Sequence, residues 1–216
     1  MNSTTHPFIR IAGVCSILAP VMLLLGDALR LLANLGFEWT IIQWLSFVLF
    51  VPAIFGLTRL AAGHGSRLAL VGGASAYVGS MAGASMQVLF RVWAVLNELG
   101  SPQTVGLLRS SKKLIVSTQM IGIFFPLGLL ILAASLYRRR VVSPVAPLAL
   151  ALGAILFPIG RIAGLLVGIV GGDLSLLVAF GMVGRRLLTA GVSDLDEVVN
   201  TSEARSSSSS SGPLEA

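Results

Sequence analysis

The residues of this chain that could do chemistry are charged and amide side chains that interrupt long apolar runs. Seven of them are candidates for a ligand-binding site: Asp27, Arg30, Gln43, Gln87, Arg91, Gln119 and Arg161. A charged side chain in hydrocarbon costs about 2.5–3.5 kcal/mol on insertion scales, so such residues face a bundle interior or a water-filled cavity. Arginines outnumber the carboxylate in this set, and guanidinium groups pair well with carboxylates and phosphates. The set therefore predicts a pocket for a small anionic or amphipathic ligand.

The spacing of these residues groups some of them on shared helix faces. Asp27 and Arg30 are three residues apart, and Gln87 and Arg91 are four apart, so each pair lies on one face of a helix. Two ladders of small residues accompany them, and small residues let helices approach closely. The ladders are Gly79 and Gly83, which lead to Gln87 and Arg91, and Gly160, Gly164, Gly168 and Gly172, which lie beside Arg161.

A structural role is the alternative for the same residues. Asp27 would then neutralise Arg91 or Arg161, and the glutamines would complete a buried network that fixes the register of the helices. Arg30 would extend to the outer lipid headgroups. Both interpretations remain open at the level of the sequence.

Catalytic and cofactor chemistry has little support in the sequence. His6 and His64 fall in or near polar segments, so two histidines are not available inside a bundle to hold a haem. No His and Cys pattern for zinc occurs. Asp27 is the only carboxylate that we expect well inside the membrane, which disfavours a relay of several acids. We therefore expect no catalytic residue, no metal site and no cofactor.

The composition indicates an integral membrane protein in contact with the lipid bilayer. Of 216 residues, 55% are hydrophobic and only 11% are charged, whereas soluble domains average roughly a quarter charged. The net charge of +6 does not indicate a nucleic-acid partner, because most arginines lie at the ends of apolar runs. Arginines in such positions orient helices and meet anionic headgroups.

Six apolar runs of membrane-spanning length predict an all-α bundle of six transmembrane helices over residues 1–190. The predicted helices cover about 8–33, 39–62, 68–96, 114–137, 145–170 and 173–190, with a polar loop between the third and fourth and the pair Gly171-Gly172 between the last two. Residues 191–216 hold acidic residues and a run of six serines. Such a segment cannot bury enough apolar surface to fold, so we expect a disordered cytoplasmic tail.

The arginines and lysines near the helix ends predict the orientation. One side would hold Arg10, Arg59, Arg67, Arg138, Arg139, Arg140, Arg185 and Arg186, and the other side Arg30, Arg109, Lys112 and Lys113. The side richer in positive charge is cytoplasmic. We therefore expect a plasma-membrane protein with both termini in the cytoplasm, and a polar pocket that opens to the outer face.

Several segments together resemble a known group of proteins. These are FPLGLLILAASLYRRRVVSP, LALALGAILFPIGRI, a last helix ending in GRRLL, and LFVPAIFGLTRL in the second helix. They are similar to an uncharacterised bacterial family of small multi-helix membrane proteins. The resemblance implies a bacterial plasma-membrane protein, and it brings no substrate, cofactor or catalytic residue.

The leading hypothesis is a non-enzymatic membrane protein that binds or passes a small anionic or amphipathic ligand. Arg91 and Arg161 would contact the anion, and Asp27 would be their partner in the empty state. An alternative is a structural or accessory subunit whose glycine ladders dock on a membrane partner chain or on a second copy. A membrane enzyme is the third hypothesis.

Overall fold

The computed structural model describes residues 5–32, 38–63, 65–111 and 120–189, and these are helical almost throughout. Within the described residues there is no strand, so the predicted all-α class is confirmed. The helices are α1 Thr5–Leu32, α2 Trp39–Ala62, α3 Arg67–Glu98, α4 Pro102–Ser110, α5 Phe124–Arg139, α6 Val145–Ala163 and α7 Leu166–Thr189.

Six of these helices are long and apolar enough to cross a membrane. They are α1, α2, α3, α5 together with the turn that begins at Met120, α6 and α7. A helix satisfies its own backbone hydrogen bonds, which is what the hydrocarbon core demands of a spanning segment. The chain is therefore a multi-pass membrane protein.

The six long helices form a closed ring. Each packs against its neighbour in the order α1, α2, α3, α5, α6 and α7, and α7 packs back against α1. Successive long helices run in opposite directions, so the C-terminal ends of α1 and α6 lie at the same end of the bundle as the N-terminal ends of α2 and α7. We call this the polar end. The opposite end, which carries Arg59, Arg138 and Arg185, is the basic end.

Five phenylalanines fill the interior of the ring. Neighbouring rings in this cluster have centroids 5.1–6.5 Å apart, mostly edge to face, a favourable arrangement for aromatic pairs. The cluster consists of Phe47, Phe50, Phe125, Phe157 and Phe180. Helix α2 supplies two of them and also contacts α5 and α7 across the ring. The middle of the bundle is thus a packed aromatic core.

The glycine ladders are used for contacts within this chain. A Cβ on Gly79 would overlap the backbone of Phe125, and a Cβ on Gly160 would overlap the backbone of Gly168. A Cβ on Gly83 would meet the ring of Phe47. Because nothing larger than glycine fits, these positions set the close approach of α3 to α5 and of α6 to α7.

The predicted boundary between the last two helices is wrong. Helix α6 ends at Ala163, and Gly164 closes it in the left-handed conformation with φ of +66°. Leu165 also donates its backbone N–H to the Gly160 carbonyl over 2.9 Å. Gly172 does not break a helix; it lies inside α7, where a Cβ would meet the backbone N of Phe157 at 3.0 Å. Asp173 is therefore in the second turn of a membrane-spanning helix rather than at a helix start.

Two other parts of the predicted organisation differ or lie outside the described residues. The segment predicted as a polar loop, residues 97–113, contains α4, whose first residue is Pro102. Proline is common at this position because the first helical residue needs no N–H donor. The predicted tail, residues 191–216, and the start of the fourth predicted helix lie outside the described residues.

Candidate functional site

Four polar side chains from four helices meet at the polar end. They are Asp27 on α1, Gln43 on α2, Arg161 on α6 and Asp173 on α7, and we call them the polar network. Asp27 and Arg161 lie in the last two turns of their helices, and Gln43 and Asp173 lie in the first two turns of theirs. The antiparallel order of the ring brings these turns to one depth.

Asp27 and Arg161 are the centre of the polar network. Gln43 Nε2 donates to Asp27 Oδ1 over 2.6 Å, and Arg161 Nη2 donates to Asp27 Oδ2. The same Nη2 donates to Asp173 Oδ1 over 3.1 Å. One guanidinium therefore binds carboxylates on two other helices, and it links α6 to both α1 and α7.

The polar network is buried, and its formal charges do not cancel. The side chains of Asp27 and Asp173 are 2% and 0% exposed, and that of Arg161 is 20% exposed. With both carboxylates ionised, one arginine faces two negative groups, so the cluster carries a formal charge of −1. In a medium of low dielectric an uncompensated charge is costly.

The polar network rests directly on the aromatic core. The Arg161 Cζ lies 3.8 Å from the centroid of the Phe157 ring. Arg161 Nη1 also donates to the carbonyl oxygen of Phe157 over 3.4 Å. A cation over an aromatic face is stabilised by the ring quadrupole, more strongly when water is excluded. The guanidinium is therefore held between two carboxylates and an aromatic ring.

Two glycines next to network residues allow the contacts to form. A Cβ on Gly26 would lie 2.6 Å from Cγ of Gln43, so the absence of a side chain there lets Gln43 reach Asp27. Gly160 precedes Arg161 and lies against Gly168 of α7. This close approach of α6 and α7 places Arg161 within reach of Asp173. The local sequence thus positions the site through missing side chains.

One oxygen of the polar network has no hydrogen-bond donor. Among the described residues, Oδ2 of Asp173 is buried and unpartnered, as is Oε1 of Gln87 on α3. A buried acceptor without a partner costs about 1–3 kcal/mol, and a charged one more. A proton or a hydrogen-bond donor would therefore lower the free energy of the polar network most at this Asp173 oxygen.

Of the six candidate residues that the structure describes, it brings three together, namely Asp27, Gln43 and Arg161. Arg91 instead lies 3.7 Å from Glu38, with 42% of its side chain exposed. Arg30 is exposed and stacks over Trp39 with its Cζ 5.1 Å from the ring centroid. Of the two arginine partners that the sequence allowed for Asp27, the structure selects Arg161.

The remaining two glutamines lie apart from the polar network. Gln87 is buried, and no hydrogen bond links its side chain to that network among the described residues. Gln119 lies outside the described residues.

Asp173 is the network residue that sequence reasoning missed, since only Asp27 was expected well inside the membrane. A signal was present, because residues 165–183 are long enough to span and contain no other charged residue. This signal was overlooked because the pair Gly171-Gly172 suggested that one helix ends and the next begins just before Asp173. Glu38, the partner of Arg91, was also not among the candidates.

Comparison with known proteins gave no match to a family model, to a curated protein or to a solved structure. Within the residues that the structure describes, no group of three His, Cys, Asp or Glu side chains could hold a metal ion. The polar network is therefore the feature of the molecule on which a functional proposal can rest.

Proposed function

We propose that this chain is a non-enzymatic membrane protein whose polar network binds and releases one proton. The observation that carries the proposal is that two buried carboxylates share one arginine while Oδ2 of Asp173 has no donor among the described residues. One added proton would remove the excess negative charge of the cluster. Two carboxylates that share a site with too little positive charge are a common way in which proteins retain a proton.

The charged groups that face Asp173 are few. Arg161 on α6 and Asp27 on α1 are its charged neighbours in the polar network, and Gln43 on α2 contributes an uncharged amide through Asp27. The ion pair of Arg91 with Glu38 involves none of these side chains. Among the described residues, a proton at the polar network would therefore be shared by Asp27 and Asp173.

Proton binding would change the contacts that close the ring. Arg161 links α6 to α1 and α7, and α1 and α7 are also the first and last helices of the ring. When Asp173 carries a proton, its attraction to Arg161 falls, and the guanidinium is left with Asp27. We propose that protonation stabilises the polar end, because it removes the excess negative charge, and that this makes the protein responsive to pH.

The orientation that we propose places the basic end in the cytoplasm and the polar end at the outer face of a plasma membrane. The support is the excess of arginines at the basic end, which the positive-inside rule assigns to the cytoplasm. Both termini would then be cytoplasmic. The proton at the polar network would come from the outside.

The proposal is tested by infrared difference spectroscopy of the protein in lipid nanodiscs at changing pH. The wild type should show the carbonyl band of a protonated carboxylic acid that disappears as the pH rises. Asp173→Asn should remove this band, and Glu38→Gln, which neutralises an exposed carboxylate at the same end, should leave it intact. A wild-type spectrum without the band at any pH at which the protein is folded would refute the proposal.

A second candidate is the binding of an anionic or amphipathic ligand. It is supported by two accessible arginines at the polar end, Arg30, which stacks over Trp39, and Arg91, which pairs with Glu38. Arg161 already binds two carboxylates, so Arg30 and Arg91 would make the contacts with the anion. Titration with a medium-chain alkyl phosphate should quench tryptophan fluorescence in the wild type, and Arg30→Gln with Arg91→Gln should abolish the response. An equal response in the double variant would reject this candidate.

The accessory-subunit hypothesis stays a prediction, but most of the glycine ladders do not support it. The ladder residues Gly79, Gly83, Gly160 and Gly168 pack against helices of the same chain. They are not available to dock a partner or a second copy. Membership of the bacterial family that the sequence resembles stays a prediction, and so does the absence of enzymatic activity.

A further inference from the structure

A groove of about 830 Å³ lies at the basic end, between the turn that joins α5 to α6 and the last turn of α7. Its charged lining consists of Arg140, Arg185 and Arg186. Its remaining lining combines valine, proline and methionine side chains with the hydroxyl groups of Tyr137, Ser143 and Thr189. We call this the basic groove, and it shares no residue with the polar network.

Within the part of the chain that the structure describes, the three arginines of the basic groove have no carboxylate partner. The ion pairs among the described residues involve Arg91 and Arg161 only. Arg140 is held at the end of α5 in the left-handed conformation, with φ of 52°, and its N–H bonds the carbonyl of Leu136. Three guanidinium groups around one groove give a concentrated positive field, which suits the oxygens of a phosphate group.

The other lining residues favour a phosphate that carries an apolar group. Valine, proline and methionine side chains form one part of the lining, and the volume far exceeds that of a free phosphate ion. The exposed apolar side chains of Val145 and Leu148 lie on the adjoining first turns of α6. Tyr137, which lines the groove and is 57% exposed, is of a type enriched at membrane interfaces.

We propose that the basic groove binds the headgroup of an anionic phospholipid. The phosphate would lie among Arg140, Arg185 and Arg186, the hydroxyls of Tyr137 and Ser143 would donate further hydrogen bonds, and the acyl chains would follow the apolar surface of α6. The inference is independent of the proton-binding proposal, because it depends on the opposite end of the bundle.

The test is native mass spectrometry of the purified protein titrated with phosphatidylglycerol and, separately, with phosphatidylcholine. The wild type should retain phosphatidylglycerol in preference to phosphatidylcholine. The triple variant Arg140→Gln, Arg185→Gln, Arg186→Gln should bind it about a hundredfold more weakly, at about 1 kcal/mol for each arginine. A matched triple variant, Arg10→Gln, Arg67→Gln, Arg138→Gln, removes the same charge from exposed positions outside the groove and should keep the preference.

Three outcomes would overturn the proposal. Equal loss in the two triple variants, both shown to be folded by their melting temperatures, would mean that net charge alone attracts the lipid. Displacement of the lipid by millimolar inorganic phosphate would identify free phosphate as the occupant. Binding seen only after removal of residues 191–216 would show that the groove does not take up lipid in the full chain.

Discussion

Arg161 at the polar end and the arginine pair Arg185-Arg186 at the basic end have opposite environments. At the polar end, Arg161 is mostly buried and contacts two carboxylates, whereas Arg185 and Arg186 at the basic end are exposed and have no carboxylate partner among the described residues. The side chains are chemically alike, so burial makes the difference. A buried arginine has lost its hydration and needs anionic partners within the protein. An exposed arginine stays hydrated and can bind anions from outside the protein.

The largest effect in this comparison should come from removing the buried arginine. Arg161→Ala leaves Asp27 and Asp173 buried without a cation, and loss of one partner of a buried pair costs about 3–5 kcal/mol. Unfolding followed in detergent with increasing sodium dodecyl sulfate would measure the change. Arg91→Ala is the control, since its pair with Glu38 is exposed and should contribute at most about 1 kcal/mol. Equal losses would show that the two arginines do not differ in burial.

A smaller loss should follow from separating α6 and α7. Gly160→Ala places a methyl group against the backbone of Gly168, and overpacking of this kind costs about 1–3 kcal/mol. The same unfolding measurement reports it, and the infrared band of the polar network should shift because Arg161 moves relative to Asp173. Gly181→Ala on α7 is the control, because a Cβ there meets nothing within 4 Å. A loss in both variants would point to helix propensity or backbone effects instead of the close contact.

Asp173→Asn should change the pH dependence of the unfolding free energy more than it changes the size of that free energy. The folded wild type would hold a proton that the unfolded chain releases, so its stability should be complete at low pH and fall as the pH rises. The variant lacks the excess charge, and its unfolding free energy should vary little over the same range. Glu38→Gln should keep the slope of the wild type. A wild-type slope that persists in Asp173→Asn would assign the titration to another group.

The smallest effect on stability should be found at the basic end. Arg185→Ala removes an exposed charge with no ion pair among the described residues, so the unfolding free energy should change by no more than about 0.5 kcal/mol. The variant should still weaken binding of phosphatidylglycerol. A large loss of stability would mean that Arg185 has a structural contact, and the contrast between the two ends would disappear.

The sequence predicted the architecture of the chain to a large extent. The length of an apolar run relative to bilayer thickness is a local property, and it identified six spans. The same logic singled out Asp27 and Arg161, because a charge inside such a run must be buried with a partner or wetted. The error at Gly171-Gly172 arose because a glycine pair can end a helix or pack inside one. Only the presence of Phe157 opposite Gly172 distinguishes these two uses.

The pairing of the polar residues was decided by the tertiary structure. Arg91 and Arg161 look equivalent in the sequence, as each is a lone arginine in an apolar run. The closed ring places the end of α6 beside the start of α7 and within reach of α1, and it leaves Arg91 on α3 with Glu38. Pairing depends on which helices become neighbours, and that depends on shape complementarity between whole helix faces. The sequence by itself therefore determined which helices are long enough to span and which charged residues interrupt them, and the tertiary structure determined which of those residues are buried and which of them meet.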